Sequence, residues 1–345
     1  MTPALLLALL LAAAPAPPSG PVKVVTTQTT YAAIAREILG DLGTAVSIGQ
    51  GDEDPHFIQP RPSFVPLLRD ADVFVTTGMD LEVWVPALLD RANNANVREG
   101  GRGYVAAFQG VPLMEVPTSV SRSQGDIHVD GNPHLQGDPI NTIVIARNIL
   151  AGLTRASPEN AAAFAGRERD FEARILSATF GDELVRILTS ATLYDLARTN
   201  RVMDFLQRTP YQGQPLLTRL GGWTKQLLPY SGRPMVCYHK EYSYFSRRFN
   251  INCAEYVEAK PGIPPTPRHV QDIIALMRDQ HIAVLMAANF YDHNQINEVA
   301  QRTGATAVIV PGNTDGAPGV RTYFDLMNLW VSSLARAFAT SPGTR

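Results

Sequence analysis

Short apolar segments alternate with amphipathic segments in two separate series, and this alternation restricts the fold more than any other feature of the sequence. In the first series, residues 22–26, 44–48 and 72–78 have the length and the β-branched content of buried strands, and helical patterns follow them. A second series of the same kind spans residues 234–310. Strands that alternate with helices build βαβ units with parallel strands. The sequence therefore predicts an α/β protein with mostly parallel sheets flanked by helices.

The region between the two series has a mainly helical pattern. Residues 140–180 form two long amphipathic segments, and the second opens at Pro158, a residue favoured in the first turn of a helix. A chain of 345 residues is long enough for two domains. We therefore expect an N-terminal α/β lobe at 21–139, long and rigid linking helices at 140–180, a helical insertion at 181–232 and a C-terminal α/β lobe at 233–345.

The first twenty residues have a different composition from the rest of the chain. Residues 4–14 are a run of Leu and Ala, followed by prolines and small residues. The run is shorter than the about 20 residues that span a bilayer, and it is typical of a signal-peptide core. No basic residue precedes Lys23, which departs from the usual signal. We expect residues 1–20 to be a signal peptide and, because no cysteine lies nearby, the mature protein to be periplasmic without a lipid anchor.

Cys237 and Cys253 lie in two strand-like segments that are close in the sequence. Export permits a disulfide, but cysteine is also a common buried apolar residue. The sequence leaves both states open.

Three histidines occupy positions where an α/β protein binds ligands. His56 follows a proline in the loop after the second strand, His134 follows a proline in a polar segment, and His239 ends the first strand of the second series. Loops at the carboxyl ends of parallel strands form ligand sites, and neutral imidazole is the commonest metal ligand in proteins. Three imidazoles suit Zn²⁺, whereas Mn²⁺ prefers oxygen ligands. The sequence predicts a zinc site between the two lobes.

The segments around these histidines resemble the solute-binding proteins of bacterial zinc and manganese ABC importers. The matching segments, in chain order, are 53–56, 59–63, 71–78, 81–84, 131–134, 138–139, 238–240, 244–245, 258–261 and 302–305. The resemblance implies two α/β lobes joined by a long, stiff helix, with one metal ion bound between them. It also implies delivery of that metal to a membrane permease. Carried over residue by residue, it assigns His56, His134 and His239 as metal ligands.

The fourth ligand is where the sequence departs from that family. Many members have an aspartate directly after the last buried strand, and Pro311 occupies that position here. We expect Asp315, four residues further on, to be the fourth ligand, with Glu258, Glu241 or a water molecule as the alternatives. His128 lies in what resembles a remnant of the family's metal-capture loop, and we expect it to be a solvated loop residue.

Together these features predict a non-catalytic binding protein that captures Zn²⁺, with Mn²⁺ less favoured, and delivers it as a monomer to an ABC importer permease. The alternative is a zinc-dependent hydrolase, because three histidines and an open water position are also a catalytic pattern. Against catalysis, the chain has no His-Glu-x-x-His motif. The formal net charge of −2 gives no indication of a nucleic-acid partner.

Overall fold

The computed structural model describes residues 20–118, 128–258, 260 and 262–340, so the expected signal peptide lies outside the described residues. The strands are β1 Val22–Thr26, β2 Gly43–Ser47, β3 Val73–Thr76, β4 Tyr104–Ala106, β5 Pro210–Tyr211, β6 Gln214–Pro215, β7 Pro234–Cys237, β8 Asn252–Tyr256, β9 Val284–Ala288 and β10 Thr306–Val310. The helices are α1 Thr29–Leu39, α2 Phe64–Arg69, α3 Val85–Ala92, α4 Pro139–Ala156, α5 Ala161–Phe180, α6 Asp182–Leu188, α7 Ser190–Arg198, α8 Val202–Arg208, α9 Gly222–Leu227, α10 Ser243–Phe249, α11 Pro267–Asp279, α12 His293–Thr303 and α13 Tyr323–Thr340. None of the helices in these ranges is both long enough and apolar enough to cross a bilayer.

Two four-stranded parallel sheets, one in each lobe, form the framework of the molecule. The strand order is β2-β1-β3-β4 in the first lobe and β10-β9-β7-β8 in the second. The chain between the two lobes contains helices α6 to α9. The small antiparallel hairpin of β5 and β6 lies between α8 and α9 in the sequence. The α/β class with two lobes and parallel sheets, which the sequence predicted, is confirmed.

Each sheet is covered by helices on both faces. In β1, Val24 belongs to the main core with α1 and α4, whereas its neighbour Val25 packs in a separate cluster with α2 and α3. In β9, Met286 belongs to the same main core as Val24, and Leu285 packs in a third cluster with α11 and α12. This alternation follows from the period of two of a strand. Because the main core extends through both lobes, the lobes are packed together.

A buried ion pair joins the start of α4 to the second lobe. Asp138 precedes α4, and its Oδ1 accepts the backbone N–H of Ile140 at 2.8 Å, which caps the helix. The guanidinium of Arg248 in α10 donates to both carboxylate oxygens of Asp138, at 2.8 Å each. Asp138 is fully buried. The pair therefore fixes α10 against the segment that leads into α4.

The second lobe also contains a covalent cross-link. Cys237, the last residue of β7, is bonded to Cys253 in β8, with 5.7 Å between the Cα atoms. Of the two states that the sequence left open, the structure has the disulfide. The cross-link holds the two strands together close to the point where β7 ends and the chain continues to His239.

The buried ion pair gives a test of how the lobes are held together. We expect Arg248→Met to lower the free energy of unfolding by about 3–5 kcal/mol, because it leaves the buried carboxylate of Asp138 without its bidentate partner. Urea denaturation measures this loss. Arg302→Met is the control, since its pair with Glu298 is solvent-exposed and such pairs contribute about 0–1 kcal/mol. Equal losses of stability in the two variants would contradict the stabilising role of the buried pair of Asp138 and Arg248.

Candidate metal centre

Four histidine side chains converge on one point. One ring nitrogen of each of His56, His128, His134 and His239 lies within 4.8 Å of the corresponding atoms of the other three. The Nε2 atoms of His56 and His128 are 3.2 Å apart. Nitrogen–zinc bonds of 2.0–2.1 Å in a tetrahedron separate the ligand atoms by about 3.3 Å. The described residues contain no other group of His, Cys, Asp and Glu with this spacing.

His56 is oriented by its own turn. It lies in the single-turn helix Pro55–Phe57 after β2, and Asp54 caps that turn by accepting the backbone N–H of His56 at 3.0 Å. The same Asp54 oxygen lies 2.6 Å from His56 Nδ1. Trp84 fixes the turn from the other side by donating its indole N–H to the carbonyl of Pro55 at 3.0 Å. Because Nδ1 donates to a carboxylate, the neutral ring has its lone pair on Nε2, which faces the other histidines.

His239 is held by the backbone of the second lobe. Its Nδ1 lies 2.8 Å from the carbonyl oxygen of Glu258, two residues after β8. A carbonyl oxygen only accepts hydrogen bonds, so Nδ1 carries the proton and the lone pair of the neutral ring is on Nε2. That Nε2 is buried and has no hydrogen-bond partner.

His134 lies just before the single-turn helix Leu135–Gly137. Its backbone N–H donates to the side-chain oxygen of Asn132 at 2.9 Å, which fixes the local turn. Asn132 in turn donates its side-chain amide to the carbonyl of Lys240 at 2.9 Å and its own carbonyl accepts the Tyr244 hydroxyl at 2.8 Å. The backbone N–H of Asn132 also donates to the carbonyl of Met114 at 2.8 Å, so the turn of His134 is held by contacts with both lobes. Its Nε2 is also buried without a hydrogen-bond partner.

His128 is not the solvated loop residue that the sequence suggested. Its side chain is 11% exposed, and its Nδ1 lies 2.8 Å from Asp80 Oδ1. The other oxygen of Asp80 accepts the backbone N–H of Val129 at 2.9 Å. His128 therefore has the same arrangement as His56, with a carboxylate on Nδ1 and a lone pair on Nε2. The sequence signal for it was its position six residues before His134.

Asp315, the fourth ligand that we expected from the sequence, does not join this group. Its carboxylate lies 3.7 Å from Arg36 in α1 and is 40% exposed. Two features of the backbone turn it away: Asp315 has φ 57°, and its N–H donates to the carbonyl of Val320 at 2.6 Å. The neighbouring backbone also lies against Gly51, where a Cβ would be 2.1 Å from the carbonyl oxygen of Thr314. The fourth place in the group belongs to His128.

Neither alternative carboxylate belongs to the group either. The side chain of Glu258 accepts the N–H of Gly262 at 3.0 Å, so this residue serves His239 through its carbonyl and not through its carboxylate. Glu241 is buried, and its Oε2 lies 3.4 Å from the hydroxyl of Tyr291. Burial raises the pKa of Glu241 to about 8, so this side chain is mostly protonated at neutral pH. Its other oxygen, Oε1, is buried without a partner.

Burial keeps the two innermost imidazoles neutral. Desolvation, followed by the nearby imidazoles His56 and His239, lowers the pKa of His134 well below its usual value. Desolvation and His56 lower the pKa of His239 to about 3. Metal ligands must be unprotonated imidazoles. The Nε2 atoms of His134 and His239 could therefore bind a cation at neutral pH without prior loss of a proton.

Two carboxylates lie on the outer side of the histidine cluster and are ionised. Burial opposes the ionisation of Asp54, but its hydrogen bonds from His56 outweigh burial and lower the pKa of this carboxyl. Burial likewise opposes the ionisation of Asp80, and hydrogen bonds from His128 and Val129 lower its pKa. An imidazole that binds a metal is neutral, so the two outer carboxylates would compensate the charge of a 2+ ion bound at this point. Charges in protein interiors are stable when paired in this way.

The chain belongs to a family of periplasmic metal-binding components of ABC importers. Residues 24–180 and 217–337 match the family described as zinc-uptake complex component A, periplasmic. The match covers well over half of the chain and has one internal gap, at residues 181–216. Members of this family are transport components and not enzymes, as the sequence predicted. The resemblance of the sequence to solute-binding proteins of metal ABC importers is thereby confirmed.

Individual relatives and solved structures agree with this family over almost the whole chain. The iron-binding protein YfeA of Yersinia pestis is 25% identical over 322 residues, which are 92% of this chain and 86% of YfeA. The manganese ABC transporter substrate-binding lipoprotein PsaA of Streptococcus pneumoniae is 23% identical over 290 residues, 82% of this chain and 77% of PsaA. A zinc-bound deletion mutant of ZnuA has the same fold, with a TM-score of 0.67, 16% identity and coverage of 93% of this chain and 100% of that one.

The buried neutral histidines predict how the metal-free protein responds to acid. The pKa of His239 is about 3 in the folded protein and about 6.5 in an unfolded chain. Below pH 6.5 the unfolded chain therefore binds more protons, so the free energy of unfolding falls as the pH is lowered from about 6.5 towards 3. We expect the free energy of unfolding of His239→Gln to fall less on acidification than that of the wild type. The difference between the two losses should reach up to about 2 kcal/mol at pH 5.

Urea denaturation between pH 7.5 and 5 in the presence of a chelator measures this slope. His281→Asn is the control, because His281 is exposed and has φ 52°, a conformation that asparagine tolerates. Parallel curves for wild-type protein and His239→Gln would contradict the prediction.

Proposed function

We propose that this protein captures Zn²⁺ in the periplasm and delivers it to the permease of an ABC importer. His56, His128, His134 and His239 are the proposed ligands. The observation that carries the proposal is the convergence of four imidazole nitrogens within 4.8 Å, two of them buried without any hydrogen-bond partner. A buried acceptor without a partner costs roughly 1–3 kcal/mol. A cation bound at this point would remove that cost for the Nε2 atoms of His134 and His239 together.

The donor set favours zinc as the cargo. Tetrahedral nitrogen ligation suits Zn²⁺, whereas Mn²⁺ is better served by carboxylate and water oxygens. No carboxylate oxygen belongs to the group of four, because Asp54 and Asp80 bind the outer nitrogens of two histidines. Relatives are named for iron and for manganese, so the metal of this chain is inferred from its own ligands and not from theirs.

Four protein ligands also fit a carrier better than a catalyst. Catalytic zinc sites have three protein ligands and an open position for water, and structural sites have four. With His128 in place, the proposed shell is closed. This arrangement supports tight retention of the ion until a partner accepts it.

Loss of one buried ligand tests the site directly. We expect His134→Ala to weaken zinc binding by more than about 100-fold, since loss of a residue that only supports a ligand already costs 10–100-fold. Isothermal titration calorimetry measures the affinity, and circular dichroism checks that the fold is kept. His281→Asn, at an exposed histidine outside the group, should bind zinc as the wild type does. Unchanged binding by His134→Ala would refute the ligand assignment.

Competition between metals tests the choice of cargo. We expect protein purified without chelator to contain zinc and to keep it in the presence of a large excess of Mn²⁺, because all proposed ligand atoms are nitrogen. Elemental analysis followed by competitive titration measures both quantities. Displacement of Zn²⁺ by equimolar Mn²⁺ would overturn the assignment of zinc while leaving a metal-binding protein.

A further inference from the structure

Asp80 holds His128 in the cluster through two hydrogen bonds. One carboxylate oxygen accepts from the imidazole Nδ1 at 2.8 Å, and the other accepts from the backbone N–H of Val129 at 2.9 Å. A side chain that binds both the ring and the adjacent backbone fixes the position and the orientation of that ring. His128 also forms a tight turn, in which its carbonyl accepts the N–H of Gly131 at 3.2 Å.

The turn that carries Asp80 is itself anchored in the lobe. Asp80 begins the single-turn helix Asp80–Glu82. Glu82, at the end of this turn, is 3% exposed, and its carboxylate accepts the hydroxyl of Thr27 at 2.6 Å and that of Thr76 at 2.9 Å. The backbone N–H of Thr77 donates to the same carboxylate at 3.1 Å. Asp80 therefore projects from a fixed platform at the end of β3, and not from a free loop.

No hydrogen bond of Asp80 reaches the other three histidines. The rings of His56 and His239 are oriented by Asp54 and by the carbonyl of Glu258, and Asn132 fixes the backbone of His134. Removal of the Asp80 carboxylate would leave these three in place and release only His128. A water oxygen would then complete the coordination of a bound ion, and the shell would change from four nitrogens to three nitrogens and one oxygen.

We propose that Asp80 is a positioning residue that sets the preference of the site for Zn²⁺ over Mn²⁺ by holding His128 as the fourth nitrogen ligand. This inference rests on the proposed metal-binding function and adds the residue that determines its specificity. Zinc benefits most from the fourth nitrogen, and Mn²⁺ loses little when an oxygen replaces it.

The test compares Asp80→Ala, His128→Ala and the double variant. We expect Asp80→Ala to weaken zinc binding by about 10–100-fold, as for other residues that orient a metal-ligating histidine, and to weaken manganese binding much less. Because Asp80 acts through His128, the double variant should bind zinc no more weakly than His128→Ala alone. Affinities for each metal come from competitive titration with a chromophoric chelator.

Two controls separate this role from a general effect on charge or folding. Asp130→Ala removes an exposed carboxylate two residues from His128 and should leave the ratio of zinc to manganese affinity unchanged. Asp80→Asn keeps one acceptor for His128 but cannot accept a second N–H with its amide nitrogen, so its loss should be intermediate. Thermal unfolding of each metal-free variant shows whether the fold is kept.

The outcomes distinguish this inference from the proposed function. Additive losses in the double variant, or an unchanged ratio of affinities in a folded Asp80→Ala protein, would overturn the role of Asp80. If His134→Ala still abolishes zinc binding in that case, the metal site stands without the Asp80 inference. If both His134→Ala and Asp80→Ala bind zinc as the wild type does, the proposed function falls as well.

Discussion

The candidate site depends on one electrostatic constraint. The lone pairs of four imidazole rings lie close together, and no hydrogen-bond donor is directed at them. The Nε2 atoms of His134 and His239 are buried without a partner, and those of His56 and His128 face each other at 3.2 Å. Both facing rings donate Nδ1–H to a carboxylate, so neither neutral ring has a proton to place between the two Nε2 atoms. Native interiors leave few polar atoms unsatisfied, and exceptions mark functional sites. This arrangement supports the proposal that the four nitrogens bind a cation.

The partners of the outer nitrogens divide along the lobes. In the first lobe, His56 and His128 each donate to a carboxylate, Asp54 and Asp80. In the second lobe, His239 donates to a neutral carbonyl. The compensating negative charge therefore lies on one side of the site. Hydrogen bonding to a carboxylate raises the basicity of an imidazole ligand. The lone pairs of His56 and His128 should therefore bind a cation more strongly than that of His239.

The sequence was sufficient for the fold and for three of the four histidines because their signals are local. Strand and helix periods alternate along the chain, and His239 directly follows a strand-like segment. The contact between His128 and Asp80 joins residues 48 positions apart, and nothing in either segment alone indicates it. Asp315 was chosen because it lies near the end of β10, but a backbone with φ 57° directs its side chain to Arg36. Such a direction is decided by packing and not by sequence spacing.

The way in which each histidine is held also links the metal to the docking of the lobes. His56 and His128 are fixed by residues of the first lobe and His239 by the second. The turn of His134 contacts the second lobe through Asn132 and the carbonyl of Lys240. A metal ion bound by all four histidines, as we propose, would therefore bridge the two lobes. Anything that binds only the docked arrangement stabilises it, so metal binding and lobe docking must strengthen each other. The buried pair of Asp138 and Arg248 and the shared core favour the same docked state, which keeps the four nitrogens close together before the ion arrives and lowers the ordering cost of binding it.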